Sequence, residues 1–584
     1  MQSPISDNSA AGVVARFLKA RGVDRVFGLC GGHIMPLWMK IDGQRIRIVD
    51  VRDERAAVYM AHAHAELTGG LGVALVTAGP GVTNAMTGIA NAHVSRAPVM
   101  VLSGTPPRLQ ENRGALQDIV HTELVRSLTR YARTVREAPL VPKELDTAVD
   151  YAFGQGGEPG PVYLDFPTDT LRAEVPAALQ LDEHFRARPR PLLRPDPAAV
   201  AAATELLWSA RRPVVISGRG ARGAGRALAR FLESLGALYL DTGESRGIVP
   251  DAHRAVVNAM RGTVMSEADA IVTVGRRLDF QLAYGSPAVY GSARFVRISD
   301  VPSELRDNRR GTVELLADPA LALGAIVEGA AGRSPAVDQE WTRGTRARHE
   351  ERVAKLRQAM STAAPGSDGR MHPNRLLAAI QRKIDDDTIV IADGGDFLSF
   401  ARVGLAPRTY LDPGPLGCIG VGTPFGIAAS LAYPEQQVIV ATGDGAFGFN
   451  AMEVDTAVRH RATVVIAVAN NGAWQIEVDD QQKTYGRVVG TRLQFSDYAG
   501  MARAFGMHAE RVERAEDLDA ALDRALANRP ALLDVIVTPQ AVSSDAKSGL
   551  AWVPDMQALT AWDDAERAWR EGAPAKGRAA DASA

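Results

Sequence analysis

The sequence predicts an α/β architecture of three doubly wound parallel-sheet domains followed by a C-terminal tail, and three observations support this. Short apolar runs alternate with helical stretches along almost the whole chain, as expected for parallel strands joined by crossover helices. At 584 residues the chain is too long for one ordinary core, which implies about three units of roughly 150–190 residues each. Two breaks interrupt the alternation: the Pro/Arg stretch RARPRPLLRPDP that begins at Arg186, and a polar, charge-rich segment over 339–373. The expected divisions are 1–185, 186–360, 361–540 and a tail of 541–584.

In the first unit, 26–28, 71–77, 98–103 and 161–165 are short buried-strand runs, with helical stretches at 54–67 and 82–95 between them. The second unit opens with a strand at 213–217 and includes 270–274 and 295–298. The third supplies strands at 388–392, 437–442, 463–469 and 531–537, and looks like a variation on the plan of the first. No close short-period repeat is visible. The tail holds Trp552, Trp562 and Trp569. Aromatics beyond the last strand predict a segment that docks, with Trp552 and Trp562 as anchors, while the last dozen residues have the composition of disordered chain.

Composition excludes several classes. Hydrophobic content of 46% and charged content of 23% are those of a soluble globular protein. A net charge of −2, from 66 basic and 68 acidic side chains, gives no electrostatic case for nucleic acid or an anionic membrane. Cys30 and Cys418 are too few for a disulfide framework or a structural zinc site. No apolar run approaches the ~18 residues of a membrane span, and MQSPISDNSA lacks the order of a secretion signal. A cytoplasmic enzyme with no nucleic-acid or membrane partner is expected.

The strongest motif is Gly443-Asp444-Gly445 after a strand, followed by a helix and a second strand ending in Asn470-Asn471. Small residues there, with Ala446 next in line, let the backbone approach a diphosphate, and the following helix turns its N-terminal amides toward the anion. Asp444 and the Asn471 amide oxygen are hard ligands suited to magnesium, with the backbone oxygen of Ala473 completing the protein share. Alone, the GDG triplet is a tight turn; the full order is far more specific. Glu54, in VDVRDERAAVYMAHA, follows a strand and begins an Ala-rich helix that looks buried. A buried carboxylate should meet a hydrogen-bond donor, although a helix-start acid favoured by the dipole would explain it equally well in isolation.

Two long runs shift that balance. DERAAVYMAHAHAELTGGLGVALVTAGPGVTNAMTGIANAHVSRAPVMVLSG resembles the first domain of the acetolactate synthase, pyruvate decarboxylase and benzaldehyde lyase superfamily, and GDGAFGFNAMEVDTAVRHRATVVIAVANNGAWQIE resembles its third. The similarity runs over about 12–537. It implies pyrimidine-binding, middle and diphosphate-binding domains, thiamine diphosphate and Mg2+ as cofactors, and a homo-oligomer, at minimum a dimer and commonly a tetramer. It also implies that Glu54 hydrogen-bonds the cofactor's pyrimidine and promotes loss of the thiazolium C2 proton. Ile419, in LGCIGVG, would be the apolar wedge beneath the bent cofactor, and Gly417 would offer a backbone carbonyl to its 4′ nitrogen. Many relatives have Met where this chain has Ile419, a volume-conserving departure.

At the substrate end, His33 in FGLCGGHIMPLW resembles the loop histidine of benzaldehyde lyase, where a neutral imidazole relays a hydroxyl proton. The alternative is an inert loop histidine. Gln117, in GALQDIVH, aligns with a glutamine that carboligases and lyases place beside the reacting carbonyl; local packing is the other reading. The His-His pair of pyruvate decarboxylases is absent. Glu477, six residues past Asn471, stands where decarboxylases keep a catalytic acid and acetolactate synthases an apolar residue, though a solvated helix-start acid would look the same. In the middle domain, GRGARGAGRA with Arg222, Arg276, Arg277 and Asp300 suggests an ADP or CoA moiety or FAD, against the alternative of surface charge. The tail resembles the lid of relatives that cleave 2-hydroxyacyl-CoA. The expected activity is that of an actinobacterial-type 2-hydroxyacyl-CoA lyase, such as one acting on 2-hydroxyisobutyryl-CoA. A benzaldehyde-lyase-like or acetolactate-synthase-like carboligase, acting on free aldehydes or 2-oxoacids, is the alternative.

Overall fold

The computed structural model describes residues 6–155, 157–543 and 560–572. Three sheets, parallel throughout, form its framework. The first contains β1 (Arg25–Gly28), β2 (Arg47–Asp50), β3 (Gly72–Val76), β4 (Val99–Thr105), β5 (Tyr131–Thr134) and β6 (Val162–Pro167), in the order β2-β1-β3-β4-β6-β5. The second contains β7 (Pro213–Ser217), β8 (Leu238–Leu240), β9 (Ala270–Val274), β10 (Arg294–Ser299) and β11 (Val313–Leu316), in the order β11-β10-β9-β7-β8. The third contains β12 (Ile389–Asp393), β13 (Thr409–Leu411), β14 (Val438–Gly443), β15 (Val464–Asn470), β16 (His508–Val512) and β17 (Ala531–Ile536), in the order β13-β12-β14-β15-β17-β16. The third order repeats the first strand for strand, so the two units share one plan.

Interior strands such as β3, β4 and β15 are buried along their whole length, because helices cover both faces and leave no solvated side to alternate toward. The winding direction reverses between β1 and β3, and again between β12 and β14. In such sheets a crevice opens outside the carboxyl ends of the strands at the reversal, and both halves of the candidate site lie there.

The first and third units share one hydrophobic core. The helix Glu54–Thr68 packs on Pro80–Val94 of its own unit and on Gly422–Ala432 of the third. Phe27, Met60, Val76 and Ile89 join Ile391, Phe425 and Val440 in one buried cluster, with the Tyr59 and Phe425 rings edge to face at 6.2 Å. The second unit has cores of its own and is tied to the first largely through ions: Arg96 pairs with Glu304, Arg219 and Arg222 with Glu66, and Arg277 with Glu158.

The tail helix, Thr560–Arg570, lies against Pro287–Tyr290 of the second unit. Trp562 packs, partly buried, on that unit's core, and the Ser286 hydroxyl donates to Glu566. Trp552, the other expected anchor, and the end expected to be disordered lie outside the described residues. No helix among the described residues is long and apolar enough to cross a membrane.

Candidate active site

Three segments leave the ends of β12, β14 and β15 side by side and, with Ile419, line one cleft. Gly443, Asp444, Gly445, Ala446, Asn471, Ala473 and Glu477 all contribute to its walls. Gly417 does not: it is exposed, at φ +71°. Gly443 closes β14 and Asp444 opens the six-residue helix Asp444–Phe449. Asp444 is buried, and its Oδ2 accepts the Gly472 N–H at 3.0 Å. Burial pushes its carboxyl up to about 6, against the pull of the amides around it. Asn471 Oδ1 accepts the Ala473 N–H at 3.1 Å, which pins the loop. One carboxylate, one amide oxygen and one peptide carbonyl form a donor set of hard oxygens. Such a set contains no cluster of three acidic, His or Cys side chains, and none is found among the described residues. The other asparagine of the pair braces the strand end instead, since Asn470 Nδ2 donates to Asp534 at 2.9 Å and to the Ser496 carbonyl at 3.0 Å.

The glycines of the motif divide the work. A Cβ on Gly445 would lie 2.5 Å from the Trp474 ring, so this position is small because Trp474 packs over it. A Cβ on Gly443 would meet nothing closer than 3.6 Å; no internal neighbour demands its smallness, which leaves close approach of a ligand as the physical reason. Asp393, at the end of β12, was not anticipated. Its carboxylate accepts the N–H groups of Gly394, Gly420 and Gly422 at 2.7–3.1 Å, tying down the loop that presents Ile419. Burial pushes it, too, up to about 6.

The first domain gathers His33, Glu54 and Gln117 beyond the ends of β1, β2 and β4. Glu54 is the first residue of its helix, behind the N-cap Asp53, and is buried. Its Oε2 accepts the Asn84 amide at 3.1 Å, the donor that a buried carboxylate requires. Asn84 stands within the run that carries the family resemblance, on a helix that also holds Asn91, so the sequence did not single it out. A Cβ on Gly81 would sit 3.3 Å from Glu54 Oε1, and one on Gly79 only 2.7 Å from Gln117 Cβ. The turn 79–81 therefore touches both side chains. His33 is half-buried; its Nδ1 is enclosed, with no hydrogen-bond partner among the described residues. Burial lowers its pKa below the usual histidine range, with the Gln117 side chain pulling it partway back. Glu453, from the third domain, was also missed: its Oε1 accepts the Arg52 and Asp53 N–H groups at 3.1 and 3.2 Å, capping the segment that leads into Glu54.

No first-domain residue reaches the walls of the Asp444 cleft. Every residue lining the cleft of Asp444 falls within 373–537. Around Gln117 the chain exposes large apolar side chains, with Leu109 84% and Leu116 76% accessible, and the third domain exposes Leu416, Phe449 and Met452.

In the middle domain, Arg222 and Asp300 line a cleft against the first domain with Arg219, Gly220 and Gly223. Arg222 is paired to Glu66, and Asp300 to Arg190 at 2.6 Å. Arg276 and Arg277 are not in that cleft. Arg276 is buried and engages both oxygens of Asp279 at 2.8 Å, so it is neither a surface charge nor free for a phosphate. Arg277 pairs with Glu158 at 2.5 Å.

Comparison with known proteins agrees with this layout. The family described as "Thiamine pyrophosphate enzyme, N-terminal TPP binding domain" matches residues 8–124, its central domain 200–326 and its C-terminal TPP binding domain 393–535. An acetolactate synthase large subunit of Mycobacterium tuberculosis is 34% identical over 564 residues, covering 94% of this chain and 99% of that protein. A 2-hydroxyacyl-CoA lyase 2 of Homo sapiens is 32% identical over 536 residues, with 84% and 83% covered. A 2-hydroxyacyl-CoA lyase 1 of Mus musculus is 31% identical over 558 residues, with 91% and 94% covered.

Proposed function

The chain belongs to the thiamine pyrophosphate enzyme family, and from that premise we propose that it is a carbon–carbon lyase, specifically a 2-hydroxyacyl-CoA lyase. It would split a substrate such as 2-hydroxyisobutyryl-CoA into a ketone or aldehyde and formyl-CoA. The observation that carries this reading is the gathering of His33 and Gln117 beside the Glu54 turn. An imidazole with a lowered pKa and an enclosed, unpartnered nitrogen suits a base for a substrate hydroxyl.

Thiamine diphosphate, when bound, supplies an electron sink for the pair released as the carbon–carbon bond breaks. Asp444, Asn471 and the Ala473 carbonyl would hold Mg2+ at its diphosphate, while Gly443, Gly445 and Ala446 would admit the phosphates and Ile419 would support the rings. Glu54 would hydrogen-bond the pyrimidine and keep its proton mobile. His33 takes the hydroxyl proton of the substrate, Gln117 orients the carbonyl, and Glu477 returns a proton to the former thioester carbon. Because third-domain residues alone line the Asp444 cleft, each site would take its Glu54 from a second copy. A homodimer is then the minimum active unit, and the exposed apolar side chains near Gln117 lie in its interface. The tail would act as a lid over the CoA thioester.

The acetolactate synthase relative, covered over nearly its whole length, supports a second reading: a carboligase acting on free 2-oxoacids or aldehydes. The experiment that decides is a panel of 2-hydroxyacyl-CoAs, 2-oxoacids and benzoin, assayed with thiamine diphosphate and Mg2+. Formyl-CoA release is the expected outcome; turnover confined to 2-oxoacids would overturn the lyase reading in favour of the second.

A further inference from the structure

One buried histidine–aspartate pair beside the first-domain half-site has no role in the chemistry above. His121 opens the short helix His121–Val125, and its side chain is fully enclosed. The Gly79 N–H donates to its Nε2 at 2.8 Å, so Nε2 is the acceptor and the ring proton sits on Nδ1. Nδ1 donates in turn to Asp165 Oδ2 at 3.0 Å, and the Tyr163 hydroxyl donates to the same oxygen at 3.0 Å. Asp165 lies in β6, in register with Ser103 of β4 and Thr134 of β5, inside the sheet. A rigid strand thus fixes the tautomer, and the tautomer fixes the Gly79 amide.

Gly79 needs holding. It adopts φ +62° and ψ −112°, a conformation that side chains other than hydrogen rarely allow. The main chain of Gln117 lies directly on it, with Cα 3.1 Å and Cβ 2.7 Å from where a Gly79 Cβ would be. Gln117 is itself in the left-handed region, at φ +63°, which a non-glycine residue occupies only under constraint from its surroundings. The segment 117–121 is therefore clamped at both ends to one residue: Gln117 rests on Gly79, and His121 accepts its N–H.

We propose that the Asp165–His121 pair is a positioning device that sets Gln117 over the reacting carbonyl by way of the Gly79 amide. This rests on the assignment of Gln117 to the reaction made above. His121 touches neither substrate nor cofactor; it acts only through the turn.

The test uses the full chain loaded with thiamine diphosphate and Mg2+, on whichever substrate of the panel the wild type turns over. His121→Asn keeps a partner for Asp165 but is too short to reach Gly79; His121→Gln places an amide oxygen where Nε2 was. His121→Asn should lower kcat by about 100-fold, the scale of a misplaced reacting group, with melting temperature and calorimetric cofactor affinity near wild type. Gln117→Ala should fall as far, the double variant no further than the lower single, and His121→Gln should recover most of the loss. Multiplied losses in the double variant, or a His121→Gln no better than His121→Asn, would overturn the positioning role while leaving Gln117 in the reaction. So would a kcat loss that merely follows a lowered melting temperature. A Gln117→Ala enzyme with wild-type turnover would remove Gln117 from the reaction and this role with it.

Discussion

Two carboxylates, Glu54 and Asp444, show how burial and a small set of partners turn an ordinary side chain into a specific one. Glu54 keeps its place through the Asn84 amide, which a glutamine carbonyl can replace. Glu54→Gln should therefore leave the melting temperature close to wild type while removing the group that handles the pyrimidine proton. Exchange of the cofactor's C2 proton, followed by NMR, is expected to slow by orders of magnitude, and near-wild-type exchange would take Glu54 out of the mechanism. Asp444 faces its cleft with amide partners alone. Asp444→Ala should abolish the Mg2+-dependent part of thiamine diphosphate binding, since the cation would lack its one charged protein ligand. Calorimetric titration with and without Mg2+ checks this; unchanged affinity would remove the metal role. Both residues were legible in the sequence because each sits in a motif of fixed order. Asn84, Asp393 and Glu453 were not, since each acts on a backbone or side chain brought to it only by folding.

At the scale of elements, every strand read from an apolar run is an interior strand of its sheet, and the edges β5, β8, β11, β13 and β16 went unread. Of these, β5 and β11 are partly exposed and β8 and β13 are only three residues long, so none of the four carries a long apolar stretch. The sixth edge, β2, was implied only as the strand before Glu54. The helix Glu453–His460 illustrates a coupling between elements of different domains. Glu453 caps the approach to Glu54 and accepts the Thr456 hydroxyl at 2.6 Å, yet burial pushes its carboxyl up to about 7 from an ordinary 4.5. A folded-state pKa above the unfolded one means that the fold favours the protonated form. Its contribution is complete below 4.5 and is lost as pH rises through 7, amounting to about 3 kcal/mol. Thermal melts of the cofactor-free chain should therefore fall between about pH 4.5 and about pH 7, and less steeply in Glu453→Gln, which holds the caps without a titrating proton. Equal slopes would show that Glu453 is not the group responsible.

At the scale of the whole molecule, the confinement of the Asp444 cleft to third-domain residues is the feature with the widest consequence. If each site takes Glu54 from one copy and Asp444 from another, two inactive variants should repair each other. In a mixed dimer of Glu54→Gln and Asp444→Ala, one site receives both lesions and the other receives neither. Random pairing after co-expression makes half the dimers mixed, so about a quarter of wild-type turnover should return. Activity no greater than that of the separate variants would mean that each chain completes its own site.

The sequence by itself determined the α/β class and the shared plan of the first and third units, and it singled out Glu54, Asp444 and Asn471, on which the proposed site rests. Those depend on local order: apolar runs long enough to be buried on both faces, and a motif whose residues are neighbours along the chain. It did not reveal that Arg277 is spent on Glu158 or that Gly445 makes room for Trp474. Nor did it reveal that Gly79 is held between Gln117 and a histidine anchored to β6. Only the tertiary structure decided these, because each is a contact between residues on different strands and loops, and the hydrogen bond or packing that settles it exists only once the sheet has brought them together.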